Sequence, residues 1–155
     1  MANRRNWGIQ KIHKTGTIGD IKVEIEFSPT KTITALNKAQ YVLDSTFLNY
    51  MIQYMPMDTG SLINEVRARS AAVAGKGEVY VATPPYGVFQ WNGVVMVDPQ
   101  TNSPWARKGA KKVVTSKPLK YSNPRAVAHW DQETIRRHGQ QIIEAAKKAF
   151  SQSKK

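Results

Sequence analysis

The chain reads as an α+β domain: two long helices over a largely antiparallel β-sheet, with an extended N-terminal arm and a long basic loop. Three patterns predict this. Ile21, Val23, Ile25 and Phe27 alternate with Lys22, Glu24 and Glu26, the period of a strand with one apolar and one charged face. Ile33, Leu36, Leu43, Phe47, Met51 and Tyr54 recur three, four or seven apart, the stripe of an amphipathic helix. A second, less regular stripe closes the chain: Val127, Trp130, Ile135, His138, Ile142, Ala145, Ala146 and Ala149.

Residues 1–19 hold Arg4, Arg5, Lys11 and Lys14 among three glycines, with only Trp7, Ile9, Ile12 and Ile18 to anchor them. They read as an extended arm. A single domain over 20–150 and a fraying tail at 151–155 follow. Ser28-Pro29 opens the first long helix, since Ser caps well and Pro suits the first turn. Pro56 stops it. Asp58-Thr59-Gly60 is then a structural turn, with the Asp58 carboxylate placed to cap a short helical turn. Asn64–Ala74 and Glu78–Thr83 flank Gly75-Lys76-Gly77 and read as a β-hairpin. Tyr86, Phe89 and Trp91 fit one short helical turn ended by Asn92-Gly93. Val94–Val97 is a short strand, and Lys112–Thr115 returns beside it. The loop 98–110 between them has one large anchor, Trp105. The last helix is expected from Pro124 or Arg125 to Phe150, with Gly139 marking a kink or a close packing contact.

Composition narrows the function. The 155 residues carry 23 Lys and Arg against 11 Asp and Glu, a formal net charge of +12. Such an excess points to nucleic acid, an anionic surface or an acidic partner protein. With no Cys, disulfides, thiolate zinc sites and Cys nucleophiles are excluded. No stretch has the apolar core of a signal peptide or the length of a membrane span. No membrane partner is expected.

Chemistry-bearing motifs are few. Asp58-Thr59-Gly60 matches the triplet of aspartic proteases, which need two such carboxylates sharing a proton. The chain has one copy, placed after a helix, so catalysis would require a homodimer. His129 and His138 are nine apart, which does not suit a metal pair on a helix. No phosphate-binding loop or nucleophile elbow is present. No cofactor, no metal and no enzyme activity are expected. The basic residues cluster instead: Arg107, Lys108, Lys111, Lys112, Lys117, Lys120 and Arg125 run without an intervening acid. They could face DNA or dock on a protein. Trp7, Tyr86, Phe89, Trp91, Trp105, Tyr121 and Trp130 are candidate interface anchors, because Trp and Tyr are enriched where proteins meet.

Four ordered segments carry a resemblance. Tyr54-Met55-Pro56-Met57-Asp58-Thr59-Gly60-Ser61-Leu62 resembles the Y-x-P-x-D-T-G-x-L signature of minor capsid or neck (head–tail connector) proteins of long-tailed bacteriophages. Tyr86 to Gly93 is similar to their Y-A-x-x-Q-Y-x-G segment, with Gly87 where Ala is frequent. Lys117 to Tyr121 and Ala128 to Asp131 resemble their late loop and the start of their last helix, although Gln132 stands near a position that is often acidic. The similarity spans about residues 30–150; the arm lies outside it. It implies a non-enzymatic virion protein, a homo-oligomeric ring subunit at the head–tail junction or in tail completion. The implied partners are copies of itself and other connector, portal or tail proteins, with possible non-specific contact to packaged DNA. Assembly would take place in the host bacterial cytoplasm. The arm and the 98–123 loop would order on assembly. A basic nucleic-acid-binding module is the alternative.

Overall fold

The computed structural model describes residues 12–18, 21–27, 29–84 and 86–153. Its fold is α+β. In order, the elements are β1 (Ile12–Ile18), β2 (Ile21–Phe27), α1 (Pro29–Met51), a 3-10 turn (Ile52–Tyr54), α2 (Ser61–Val73), α3 (Gly87–Asn92), β3 (Val94–Val97), β4 (Val113–Pro118) and α4 (Trp130–Gln152). The strands form two separate antiparallel pairs, β1 with β2 and β3 with β4. The two long helices pack on each other rather than side by side on one continuous sheet.

The second half of the expected arm is a strand. Ile12 pairs with Phe27 and Ile18 with Ile21 across a seven-residue register. An extended β2 leaves backbone donors and acceptors that need partners, and the nearest chain supplies them. Residues 1–11 lie outside the described residues, Trp7 among them.

The core gathers at the end of α1. Met51, Ile52 and Met55 are buried with Ile63 and Val66 of α2 and with Trp130, the first residue of α4. The first half of the α1 stripe is not core: Ile33 and Leu36 are exposed, while Ala35 is fully buried. On α4 the buried positions past Thr134 are Ile142, Ala146 and Ala149.

Three local expectations are corrected. Asn64–Ala74 is not a strand but most of α2, and Glu78–Thr83 joins no ladder. Ile63, Val66 and Ser70 are the buried positions, spaced three and four apart, so the segment follows a helical period. Glu65 and Arg69 pair at 2.8 Å on its outer face, one turn apart. The glycine turn is held from outside: Asp44 of α1 accepts the N–H groups of Gly75 at 2.8 Å and Gly77 at 3.1 Å. Both glycines have positive φ, 87° and 81°, which only Gly adopts freely.

The last helix begins at Trp130, five or six positions later than expected. The preceding backbone is committed elsewhere. The N–H of Val127 bonds to the Tyr54 carbonyl and that of His129 to the Trp91 carbonyl, at 3.2 and 2.9 Å. Asn123 caps the turn between, accepting from the Arg125 N–H at 3.0 Å and donating to the Met55 carbonyl at 3.0 Å. Gly139 makes no close contact either: an added Cβ would meet only Ile135 Cγ2, at 3.8 Å.

Candidate interaction surface

The hairpin of β3 and β4 carries the long loop 98–112, and a single buried carboxylate organises that loop. Asp98 is fully buried. One of its oxygens accepts the backbone N–H groups of Gln100 at 2.8 Å and Thr101 at 3.3 Å. The other accepts the backbone N–H of Arg107 at 3.1 Å and its guanidinium Nε at 2.8 Å. The Asp98 backbone adds an N–H bond to the Ser103 carbonyl and takes one from Asn102, at 2.8 and 2.9 Å. Asn102 turns the chain in the left-handed region, φ 53°, where Asn is tolerated.

The Arg107 guanidinium, then the Gln100 N–H, hold the Asp98 carboxyl well below the usual carboxylate range, against burial that pushes it up. The same pair raises the Arg107 guanidinium. A buried charge with this many donors is a charge-assisted network, not a stray acid. Its signal in the sequence was Asp98-Pro99-Gln100-Thr101-Asn102 directly after a strand, the composition of an Asx turn.

The network divides the basic cluster. Arg107 is spent on Asp98. Lys108, Lys111, Lys117, Lys120 and Arg125 are exposed and Lys112 is half-buried, and none forms a salt bridge among the described residues. Trp105 anchors nothing: it is 83% exposed, and Val113 and Val114 at the start of β4 are exposed too. Asp98 takes the anchoring role expected of Trp105. The stretch expected to order only on assembly thus has a bonded loop and a strand of its own.

The remaining aromatic candidates separate in the same way. Trp130 is fully buried and its indole N–H donates to the Val81 carbonyl at 3.0 Å, so it is core and no interface anchor. The Trp91 indole donates to Asp131 at 2.6 Å and meets the His129 ring edge-on at 4.3 Å. Tyr121 donates to the Gln90 carbonyl and is half-buried; burial raises its phenol. Phe89 is half-buried on α3. Tyr86 is 67% exposed. Gly87 is close-packed: a Cβ there would sit 3.0 Å from Leu62 Cδ1 and 3.3 Å from Ala82.

Asp58 caps no helix. It is exposed, with no hydrogen-bond partner among the described residues. Gly60, with φ 77°, is the residue before α2, and Thr59 Oγ1 reaches the Ser61 N–H at 3.4 Å and its hydroxyl at 2.8 Å. The turn is built by Thr59 and Gly60. It borders a cleft of about 220 Å³ shared with Glu65, Thr83 and Gln90. The Asp-Thr-Gly triplet thus opens a helix, whereas the protease triplet follows a strand.

His129 and His138 serve packing. His138 stacks on Tyr50 at 4.1 Å and bonds to the Tyr54 hydroxyl at 2.8 Å, joining α4 to the end of α1. Among the described residues no group of three His, Cys, Asp or Glu is placed to hold a metal ion. No helix among them is long and apolar enough to cross a membrane. No family model, no curated protein and no solved structure matches the chain.

Proposed function

We propose that this chain is a non-enzymatic structural subunit that assembles with copies of itself into a ring, at the head–tail junction of a long-tailed phage. The observation that carries the reading is the number of large apolar side chains left in solvent. Trp105, Tyr86, Val114, Ile135, Met57, Tyr41 and Leu36 are each more than half exposed. They are spread over α1, α4, the turn before α2, the residue before α3 and the β3–β4 hairpin. Apolar residues exposed singly mean little, but the β3–β4 hairpin and its loop alone expose Trp105, Val113 and Val114. A ring uses two different faces of one subunit, joined head to tail until the rotation closes. The phage setting rests on the resemblance of four sequence segments to those of neck proteins.

The test is the mass distribution of the purified protein across concentration, with images of the particles. Closed rings of one stoichiometry are the expected result. A chain that stays monomeric at every concentration, and is missing from the neck of phage particles produced with it, would defeat the reading.

A further inference from the structure

We infer that the β3–β4 hairpin and its 98–112 loop form a nucleic-acid contact, with lysines on phosphates and Trp105 against an exposed base. This goes beyond the ring reading and does not depend on it.

The surface has three properties such a contact needs. It is charged and uncompensated. Lys108, Lys111, Lys112, Lys117 and Lys120 have no acidic partner among the described residues, and Asp98, the one carboxylate of the loop, is buried and already bound. It offers a free aromatic face. Trp105 is 83% exposed and only its backbone is fixed, its N–H bonding to the Ser103 hydroxyl at 3.1 Å. It is pre-shaped. The bonds to Asp98 hold residues 98–107, Trp105 among them, before any ligand arrives, which lowers the ordering cost of binding.

A basic surface with an exposed aromatic ring is how proteins bind single strands without sequence preference: backbone charge supplies attraction and base stacking supplies grip. Lys117 also borders a groove of about 330 Å³ with Val95, Val97, Asn102, Pro104 and Thr115, on the same hairpin. An acidic protein would also satisfy the lysines, and displacement by polyglutamate distinguishes it from a nucleic acid.

The experiment uses the full chain with a fluorescent oligo-dT and with a duplex of equal length, titrated at several salt concentrations. Both are expected to bind, the single strand more tightly. Each phosphate contact on duplex contributes about 0.9 to the slope of log K against log salt. Replacing Lys108, Lys111 and Lys112 together by Ala should therefore lower that slope by about 2.7 and weaken binding roughly tenfold or more. Trp105→Ala should weaken the single strand by roughly 5- to 150-fold, the range of one lost base stack, and the duplex far less. All four positions are exposed or half-buried, so an unchanged melting temperature separates binding from folding. Lys147→Ala with Lys148→Ala, on exposed positions of α4, should retain binding. The inference is overturned by any of four results. Neither probe binds at low salt, or the triple variant keeps the parent's affinity and slope. The α4 variant loses as much as the triple variant, or polyglutamate displaces the oligonucleotide as well as unlabelled oligo-dT does.

Discussion

The indole N–H of Trp130 donates to the carbonyl of Val81 at 3.0 Å, tying the first turn of α4 to the stretch that follows α2. Trp130 is also the largest fully buried side chain in the described protein. Trp130→Ala should cost roughly 3–5 kcal/mol, as for other buried aromatic truncations. Trp130→Phe keeps most of the volume and leaves the Val81 carbonyl without its donor, which costs about 1–3 kcal/mol. Trp105→Ala should stay within about 0.5 kcal/mol of the parent, as at other surface sites. Urea denaturation of the three variants checks the order.

Gly93 and Gly139 should respond in opposite directions to alanine. At Gly93 φ is 69° and an added Cβ would lie 2.5 Å from Ala128 Cβ. The left-handed backbone alone costs a side chain about 1–2 kcal/mol, and the clash adds to it. Gly139 lies inside α4 with its nearest Cβ neighbour at 3.8 Å. Gly139→Ala should stabilise by about 0.5–1 kcal/mol. Thermal melts of both variants would reveal the split.

Asp98→Asn should loosen the loop without unfolding the helices. The neutral amide cannot match the ionic bond to Arg107, and its NH₂ group faces donors. Hydrogen exchange should rise at Gln100, Thr101 and Arg107, whose N–H groups bond to the carboxylate. Amides of α4 should keep their protection. Equal protection in both proteins would show that Asp98 does not organise the loop.

Acid should act on two carboxylates late. Arg136 and Arg137 hold the Glu133 carboxyl down to about 2, and Asp98 is held below the usual range by Arg107. Both are lowered in the folded chain, so their stabilisation is complete above the ordinary unfolded value near 4. For Glu133 it is lost as pH falls from there through about 2. Carboxyl NMR titration should find both groups still ionised at pH 4. A Glu133 midpoint near 4.5 would remove its part of the prediction.

Asp58→Asn should leave stability unchanged, since the carboxylate is exposed and has no partner among the described residues. Asp44→Ala should instead free the glycine turn and leave the N–H groups of Gly75 and Gly77 unmatched, costing about 1–3 kcal/mol. Paired melting curves test both.

Local patterning alone established the α+β class, the two long helices, the short helical turn before Gly93 and the pairing of Val94–Val97 with the strand after Lys112; the first helix ends at Met51, ahead of the stop expected at Pro56. Each depends on near neighbours, through periodicity, capping or a residue that cannot adopt the next conformation. It also located the excess charge. Tertiary structure decided the rest. Asn64–Ala74 carries strand-like and helical signals together, and burial of Ile63 and Val66 against α1 selected the helix. Trp105 and Trp130 are alike as residues. One is buried because α4 begins under Val81, and the other projects because the loop closes on Asp98 instead. Arg107 left the free basic set for the same reason. Spacing along a chain indicates which residues share a face; only packing determines what that face meets.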